Sequence, residues 1–294
     1  MARATEDQFI GALLGLAIGD ALGRPLIGLT PEQVAETYGA ITGFVGEDAE
    51  REGAPTGVIT DETEVTLCIV ESLTTNDGMI DAENINTRLG FLLRGDSRRW
   101  LPESVIAGIE RAEATDGLVL ADADEAAELS VAVRGVPVGL LHAVDIDDDF
   151  SLEADARTVT RFSHGGNRQA ALTATVARAF RAAARDEAMP MPMPMPESPV
   201  PGSAEAYLGV LVAEGFASPR FEDALFARVA QGADADTAGA IVGAIAGARF
   251  GASGIPQHLI DELDARMYLS LAAPLFYRTA RRRRGTVIDL RKVD

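Results

Sequence analysis

Two short stretches hold the residues best suited to chemistry. Thr60-Asp61-Glu62-Thr63 and Asp234-Ala235-Asp236-Thr237 each set carboxylates beside hydroxyls where an apolar helical pattern begins. Taken singly, each reads as a helix start, because Asp and Thr there cap free amides and complement the dipole. Taken together, the carboxylates of Asp61, Glu62, Asp234 and Asp236, with hydroxyls from Thr60, Thr63 and Thr237, offer more. Hard oxygen donors on rigid helix ends, with room left for water, match Mg2+ or Mn2+. Two such ions side by side can clamp a water and a substrate oxygen.

Such donors need rigid supports, and two Gly-striped stretches supply them. QGADADTAGAIVGAIAGARFG carries Gly239, Gly243, Gly247 and Gly251 at four-residue intervals behind its acidic opening. FIGALLGLAIGDALG repeats the interval at Gly11, Gly15, Gly19 and Gly23, with Asp20 set into it. Residues four apart share a helix face, so each stretch forms a groove without side chains. Every interior Gly costs up to about 1 kcal/mol against Ala, and close approach of a second helix is the compensation expected. The spacing predicts a central pair packed nearly backbone to backbone. A membrane pair of the Gly-x-x-x-Gly kind has the same stripe. Asp20 and Arg249 interrupt the apolar runs, which fall short of the roughly 20 residues a span needs.

The remaining periodicity is helical almost throughout, which predicts an all-α chain. Thr30 caps a helix whose first residue is Pro31, and Thr60 caps one with an apolar face of Val65, Ile69 and Leu73. Further helices are expected over 81–94, 102–114, 122–133, 151–161, 168–187, 204–214, 221–230 and 256–279. Pro137 reads as a break before a pattern that resumes at Gly139. The stretch 39–56 is an acidic, Gly-rich loop. Six prolines in MPMPMPMPESPVPG forbid helix over 189–202, which reads as an extended insertion within one domain covering 1–280. The basic run from Arg281 begins a tail over 281–294.

With 294 residues the chain can bury a sizeable core. Its formal charge of −19 argues against general nucleic-acid binding, where phosphate contacts dominate. Lys292 is the only lysine. Cys68 is the only cysteine, which excludes internal disulfides and cysteine-based metal cages and fits the cytoplasm. The polar opening MARATEDQF reads as no secretory leader. Cys68 reads as a core residue, Trp100 as a core anchor or a cleft wall, and His142 and His258 as structural or exposed. Arg134, in the apolar run AVRGVPV, needs a carboxylate or an anionic ligand if it is buried.

Four segments in order carry a resemblance: GALLGLAIGDALGRP, ITDETEVTL, SHGGN and GADADTAGAIVGAIAGARFG. Their combination is similar to the ADP-ribosylglycohydrolase family, which includes the dinitrogenase reductase activating glycohydrolases. The resemblance implies an all-α domain with a binuclear Mg2+ (or Mn2+) centre in a cleft. It implies hydrolysis at the anomeric carbon of an ADP-ribosyl group, carried on a modified protein or a small molecule. The family's metal motifs fall on Thr60, Asp61 and Glu62 and on Asp234, Asp236 and Thr237. Its substrate-cleft loop falls on Ser163, His164, Gly165 and Gly166, and its Met-Arg-x-x-Pro stretch on Val133, Arg134 and Pro137.

The departures are specific. Glu62 stands where the family usually has Asp, and Ile27 where it often has Glu. Leu129 and Ser130 replace an Asn-Gly pair, and Gly232-Ala233 replaces Gly-Gly. Metal binding is therefore expected to persist while substrate recognition is altered. Glycosidic cleavage builds positive charge on the sugar, which a carboxylate stabilises. A carboxylate can also take the proton of the attacking water. Glu62 and Asp234 are the candidates for these roles, and the glycines of the SHGGN loop would let main-chain amides approach a pyrophosphate. A non-catalytic ADP-ribose binder is the alternative that Ile27, Leu129 and Glu62 motivate, and a structural protein without ligand is a third reading.

Overall fold

The computed structural model describes residues 3–46, 55–114, 127–144, 149–161, 163–190 and 203–285. Every regular element among them is helical. Helix α1 (Glu6–Gly23) starts at a reciprocal cap, in which the Thr5 hydroxyl accepts the Gln8 N–H and Gln8 accepts the Thr5 N–H. A short second helix, α2 (Pro31–Tyr38), repeats the device with Thr30 and Gln33. Helices α3 (Asp61–Thr75), α4 (Ala82–Arg94) and α5 (Glu103–Ala114) follow, then α6 (Leu129–Ala132), α7 (Gly135–Ala143), α8 (Asp149–Thr160) and α9 (Asn167–Ala184). The last third holds α10 (Ala204–Ala217), α11 (Phe221–Val229), α12 (Ala235–Phe250), α13 (Gln257–Glu262) and α14 (Arg266–Gly285).

The two Gly-striped helices do form the centre. Helices α1 and α12 run antiparallel, with Gly11 against Gly247, Gly15 against Gly243, Gly19 against Gly239 and Gly23 against Ala235. A Cβ at any of these four α1 glycines would come within 3.0 Å of the facing backbone, so only glycine permits the approach. The direction of pairing has a consequence for the site. It sets the end of α1, with Asp20, beside the start of α12, with Asp236. The stretch Glu6–Leu26 is long and apolar enough to cross a membrane, but 83% of its most apolar window is buried inside the protein. Its hydropathy is that of a core helix.

Several local expectations differ from the structure. Pro137 does not break a helix; it occupies the first turn of α7, where its missing N–H leaves no bond unmade. Gly135 and Gly139 of that helix lie on the backbone of Thr173 and Ala177 in Ala-rich α9, a second close contact. Only four residues of the expected helix 122–133 are helical in α6, and 122–126 lie outside the described residues. The expected helix 256–279 is two helices, because the chain turns at Leu263, which is buried, and the Asp264 N–H donates to Gly57 O at 3.0 Å. Arg281 to Arg284 continue α14 rather than starting a tail. Residues 47–54 of the acidic loop, 191–202 of the Met/Pro stretch and 286–294 of the terminus lie outside the described residues.

Candidate functional site

The site is assembled where the ends of α1, α3 and α12 meet. Asp20 is fully buried and directs its carboxyl at the start of α3, accepting the main-chain N–H of Thr60 at 2.9 Å and of Thr63 at 3.2 Å. The Thr63 hydroxyl also donates to it. Asp20 therefore caps α3 from another helix, and the Thr60 side chain makes no cap of its own. The Thr60 hydroxyl points elsewhere, lying 2.6 Å from Asp20 Oδ1 and 2.7 Å from Glu62 Oε2. Across the junction, the Thr237 hydroxyl donates to Glu62 Oε1 at 2.6 Å, although 175 positions separate the two residues. Glu62 thus bridges the two acidic motifs.

One hydroxyl proton on Thr60 cannot serve two ionised carboxylates. Burial, followed by repulsion from Glu62, holds the Asp20 carboxyl well above its ordinary value. A proton on Asp20 Oδ1 fits the shortest contacts: Asp20 donates to the Thr60 hydroxyl, Thr60 donates to Glu62, and Asp20 Oδ2 accepts the two amides and the Thr63 hydroxyl.

Asp61, Glu62, Asp234, Asp236 and Thr237 line a cleft of ≈ 770 Å³, a volume suited to a ligand of nucleotide size. Asp234 is exposed in it, Asp236 is half-buried, and Asp61 and Glu62 are buried. Ala233, just before them, is held in the left-handed region at φ 55° by a bond from its N–H to Leu29 O. The family's glycine would fit there without the ~1 kcal/mol strain of a side chain. Burial pushes the Asp61 carboxyl up to about 10, with Glu62, Asp20 and Asp236 adding repulsion. Burial and then Glu62 bring Asp236 to about 7.

A pH dependence follows. A carboxyl raised on folding stabilises the protein fully below its unfolded value, here 3.8, and that contribution is lost as pH climbs through the folded value. In metal-free buffer the melting temperature is expected to fall between about pH 4 and about pH 7, the interval between the unfolded and folded values of Asp236, in which only the folded state keeps the proton. Asp236→Asn should flatten part of that slope in a pH series of thermal melts. An identical slope in the variant would trace the loss to other groups.

The SHGGN loop lies elsewhere than expected. Ser163 and His164 are buried, and none of Ser163, His164, Gly165 and Gly166 lines the large cleft. They stand behind its wall, with Gly166 at the start of α9. Arg134 explains the arrangement: a buried guanidinium needs acceptors, and its Nη1 donates to Ser163 Oγ at 2.8 Å and Val159 O at 3.3 Å. His164 Nδ1 lies 3.0 Å from the same Ser163 Oγ, and its Nε2 faces Glu128 Oε1 at 3.3 Å. Arg134 also borders a small recess beneath Asp61 and Glu62. Burial lowers its guanidinium to about 10, opposed by Asp61 and Glu128, so it remains a cation at neutral pH under the acidic floor.

Other expectations separate cleanly. His142 pairs with Asp155 at 2.8 Å, and His258 is exposed. Cys68 is buried, and burial pushes its thiol up to about 12. Ile27 is 44% exposed and is not part of the cleft wall, whereas Leu129 and Ser130 are. Trp100, read as either a core anchor or a cleft wall, lines the cleft with the Arg24 and Arg99 guanidiniums each 4.8 Å from its ring centre. Sequence reasoning missed three contributors: the capping role of Asp20, Glu128 and Tyr207 in the cleft wall. A lone acid in a Gly-striped apolar helix was the available signal for Asp20. Glu128 precedes a four-residue helix and had none.

Fold and site define an all-α protein whose cleft is floored by carboxylates and threonines from two helix starts. The family model for ADP-ribosylglycohydrolase matches residues 1–197 and 187–285. The chain belongs to the ADP-ribosylglycohydrolase family, whose chemistry is hydrolysis of ADP-ribosyl linkages. It is 28% identical over 289 residues to the ADP-ribosyl-[dinitrogen reductase] glycohydrolase of Rhodospirillum rubrum, covering 90% of this chain and 92% of that one. An uncharacterised protein of Archaeoglobus fulgidus is 29% identical, covering 92% and 96% of the two chains. A solved ADP-ribosylglycohydrolase-related protein complex matches with a TM-score of 0.71 at 26% identity, over 94% of this chain and 98% of that chain.

Proposed function

We propose that this protein is a divalent-metal-dependent hydrolase that cleaves the glycosidic bond of an ADP-ribosyl group and releases ADP-ribose. The observation that carries the reading is the Glu62–Thr237 bond, which joins two acidic motifs from opposite ends of the chain in one cleft. The donor set fits a pair of Mg2+ ions, with Mn2+ as substitute. No basic residue is among the described residues lining the cleft, and the counter-charge to its carboxylates is Arg134, buried beneath Asp61. Among the described residues no group of three or more His, Cys, Asp or Glu is arranged to hold a metal ion, so the metal reading rests on the chemistry of the donor set alone. Thr60, Asp61, Glu62, Asp234, Asp236 and Thr237 would hold the ions. Bound metal would supply Lewis acidity toward ribose hydroxyls and a water.

The chain's own residues divide the remaining work. Asp234 is exposed to the cleft and is suited to take a proton from the attacking water at a carboxylate oxygen. Glu62, with both oxygens held by threonine hydroxyls, is the carboxylate assigned to balance positive charge on the sugar ring, a role its fixed orientation supports. Trp100, Leu129 and Tyr207 offer flat or apolar walls for the rest of the ligand. Arg134, Ser163 and His164, with Gly165 and Gly166, act from behind the wall by orienting Glu128 and the floor. The substrate is an ADP-ribosylated protein or a small ADP-ribosyl glycoside, and a reducing cytoplasm suits the single buried thiol.

Release of ADP-ribose from a panel of ADP-ribosylated proteins and small glycosides, measured by mass spectrometry with Mg2+ or with EDTA, tests this. Release should require metal and should fall at least about a hundredfold in Asp236→Ala. Metal-dependent ADP-ribose binding without release would select the binding-module reading, which the apolar Leu129 in the cleft wall favours.

A further inference from the structure

Helix α14 is apolar on two sides. Leu269, Ala273, Phe276 and Ala280 face the core and are buried. On the opposite side Met267, Leu271 and Leu275 follow one another at four-residue spacing, 69%, 72% and 44% exposed, with Tyr268 beside them. A surface helix ordinarily turns a polar face to water, and a helix apolar all round has neighbours all round. Nothing in the cleft uses this face, and it is not part of the proposed chemistry.

Charge brackets the stripe in an ordered way. Asp264, exposed in the turn leading into α14, lies seven positions before Leu271. Arg278, exposed on the same helix face, lies seven positions after it. Further along are the exposed Arg281 and Arg282, part of a basic run in a chain of net charge −19. The face is therefore apolar at its middle, acidic at one end and basic at the other, with its centre at Leu271.

We propose that this face is the interface of a homodimer in which two copies of α14 pack antiparallel across a two-fold axis at Leu271. A two-fold interface must be complementary to itself, and this stripe is so only when the helices run in opposite directions. Leu271 then meets its own copy, Leu275 meets Met267 of the second copy, and Arg278 meets Asp264. A parallel pairing would set Arg278 against Arg278 and Asp264 against Asp264. Two chains of net charge −19 repel one another, and a strip that carries its own basic end offsets part of that repulsion where it meets its copy.

Sedimentation equilibrium on the full chain is expected to give twice the 31.0 kDa chain mass. Leu271→Asp should yield a monomer with the helical circular dichroism of the parent. Arg278→Asp and Asp264→Arg should each weaken the dimer about tenfold or more, because each sets like charges together at both ends. Combining the two reversals should restore the dimer, since every reversed residue then meets a reversed partner. The Asp264 main-chain bond to Gly57 survives either change. A wild-type monomer at the highest soluble concentration, a dimer unaffected by Leu271→Asp, or a double reversal no better than the singles would each overturn the proposal. So would dimerisation only after truncation at Gly285, which would assign the stripe to residues 286–294.

Discussion

Gly243→Val is expected to yield no cooperatively folded protein. A Cβ at Gly243 would overlap Gly15 O, and the obstacle is main chain, which cannot rotate aside as a side chain can. Relief requires α1 and α12 to separate along their length, since Gly11, Gly19 and Gly23 are locked in the same register. Overpacking a core by a few methyl groups costs roughly 1–3 kcal/mol when neighbours can adjust, and more when they cannot. A domain holds only about 5–15 kcal/mol in reserve. Gly209 supplies the contrast. It lies inside α10 with nothing within 4 Å of an added Cβ, so Gly209→Ala should stabilise by about 0.5–1 kcal/mol. Urea melts followed by circular dichroism decide both cases. A Gly243→Val protein with a normal transition would mean that the two helices are not in backbone contact.

Asp20→Ala is the second large effect. It strips the cap from α3 and orphans the buried amides of Thr60 and Thr63, at about 1–3 kcal/mol each. It also frees the Thr60 hydroxyl from its anchor beside Glu62. Stability and ADP-ribose release should fall together, although Asp20 does not line the cleft. Asp20→Asn is expected to behave quite differently. If Asp20 carries a proton on Oδ1, the asparagine amide takes over the donor to Thr60 and its carbonyl takes over both amides. The variant should then remain within about 1 kcal/mol of the parent, as a shape-conserving change that keeps its partners does. An Asn variant as damaged as the Ala variant would show that Asp20 is ionised in the folded protein.

The sequence by itself determined the helical class, the central pair and the two acidic motifs. Local rules suffice for these: four-residue glycine spacing has one economical explanation in a soluble core, and Asp or Thr at a helix start is visible in a short window. The start of helix α2 could be read to the residue, because Thr30 and Pro31 encode it locally. Tertiary structure alone decided what the motifs touch. That Glu62 reaches Thr237 depends on the antiparallel sense of α1 and α12, which a glycine stripe does not encode. The burial of Ser163 and His164 behind Glu128 follows from the acceptors that Arg134 needs once the core closes around it. The division of 256–279 into two helices was equally hidden. It goes with the burial of Leu263 at the turn and a bond from Asp264 to Gly57, far away in sequence, and a window of neighbouring residues carries no record of such partners.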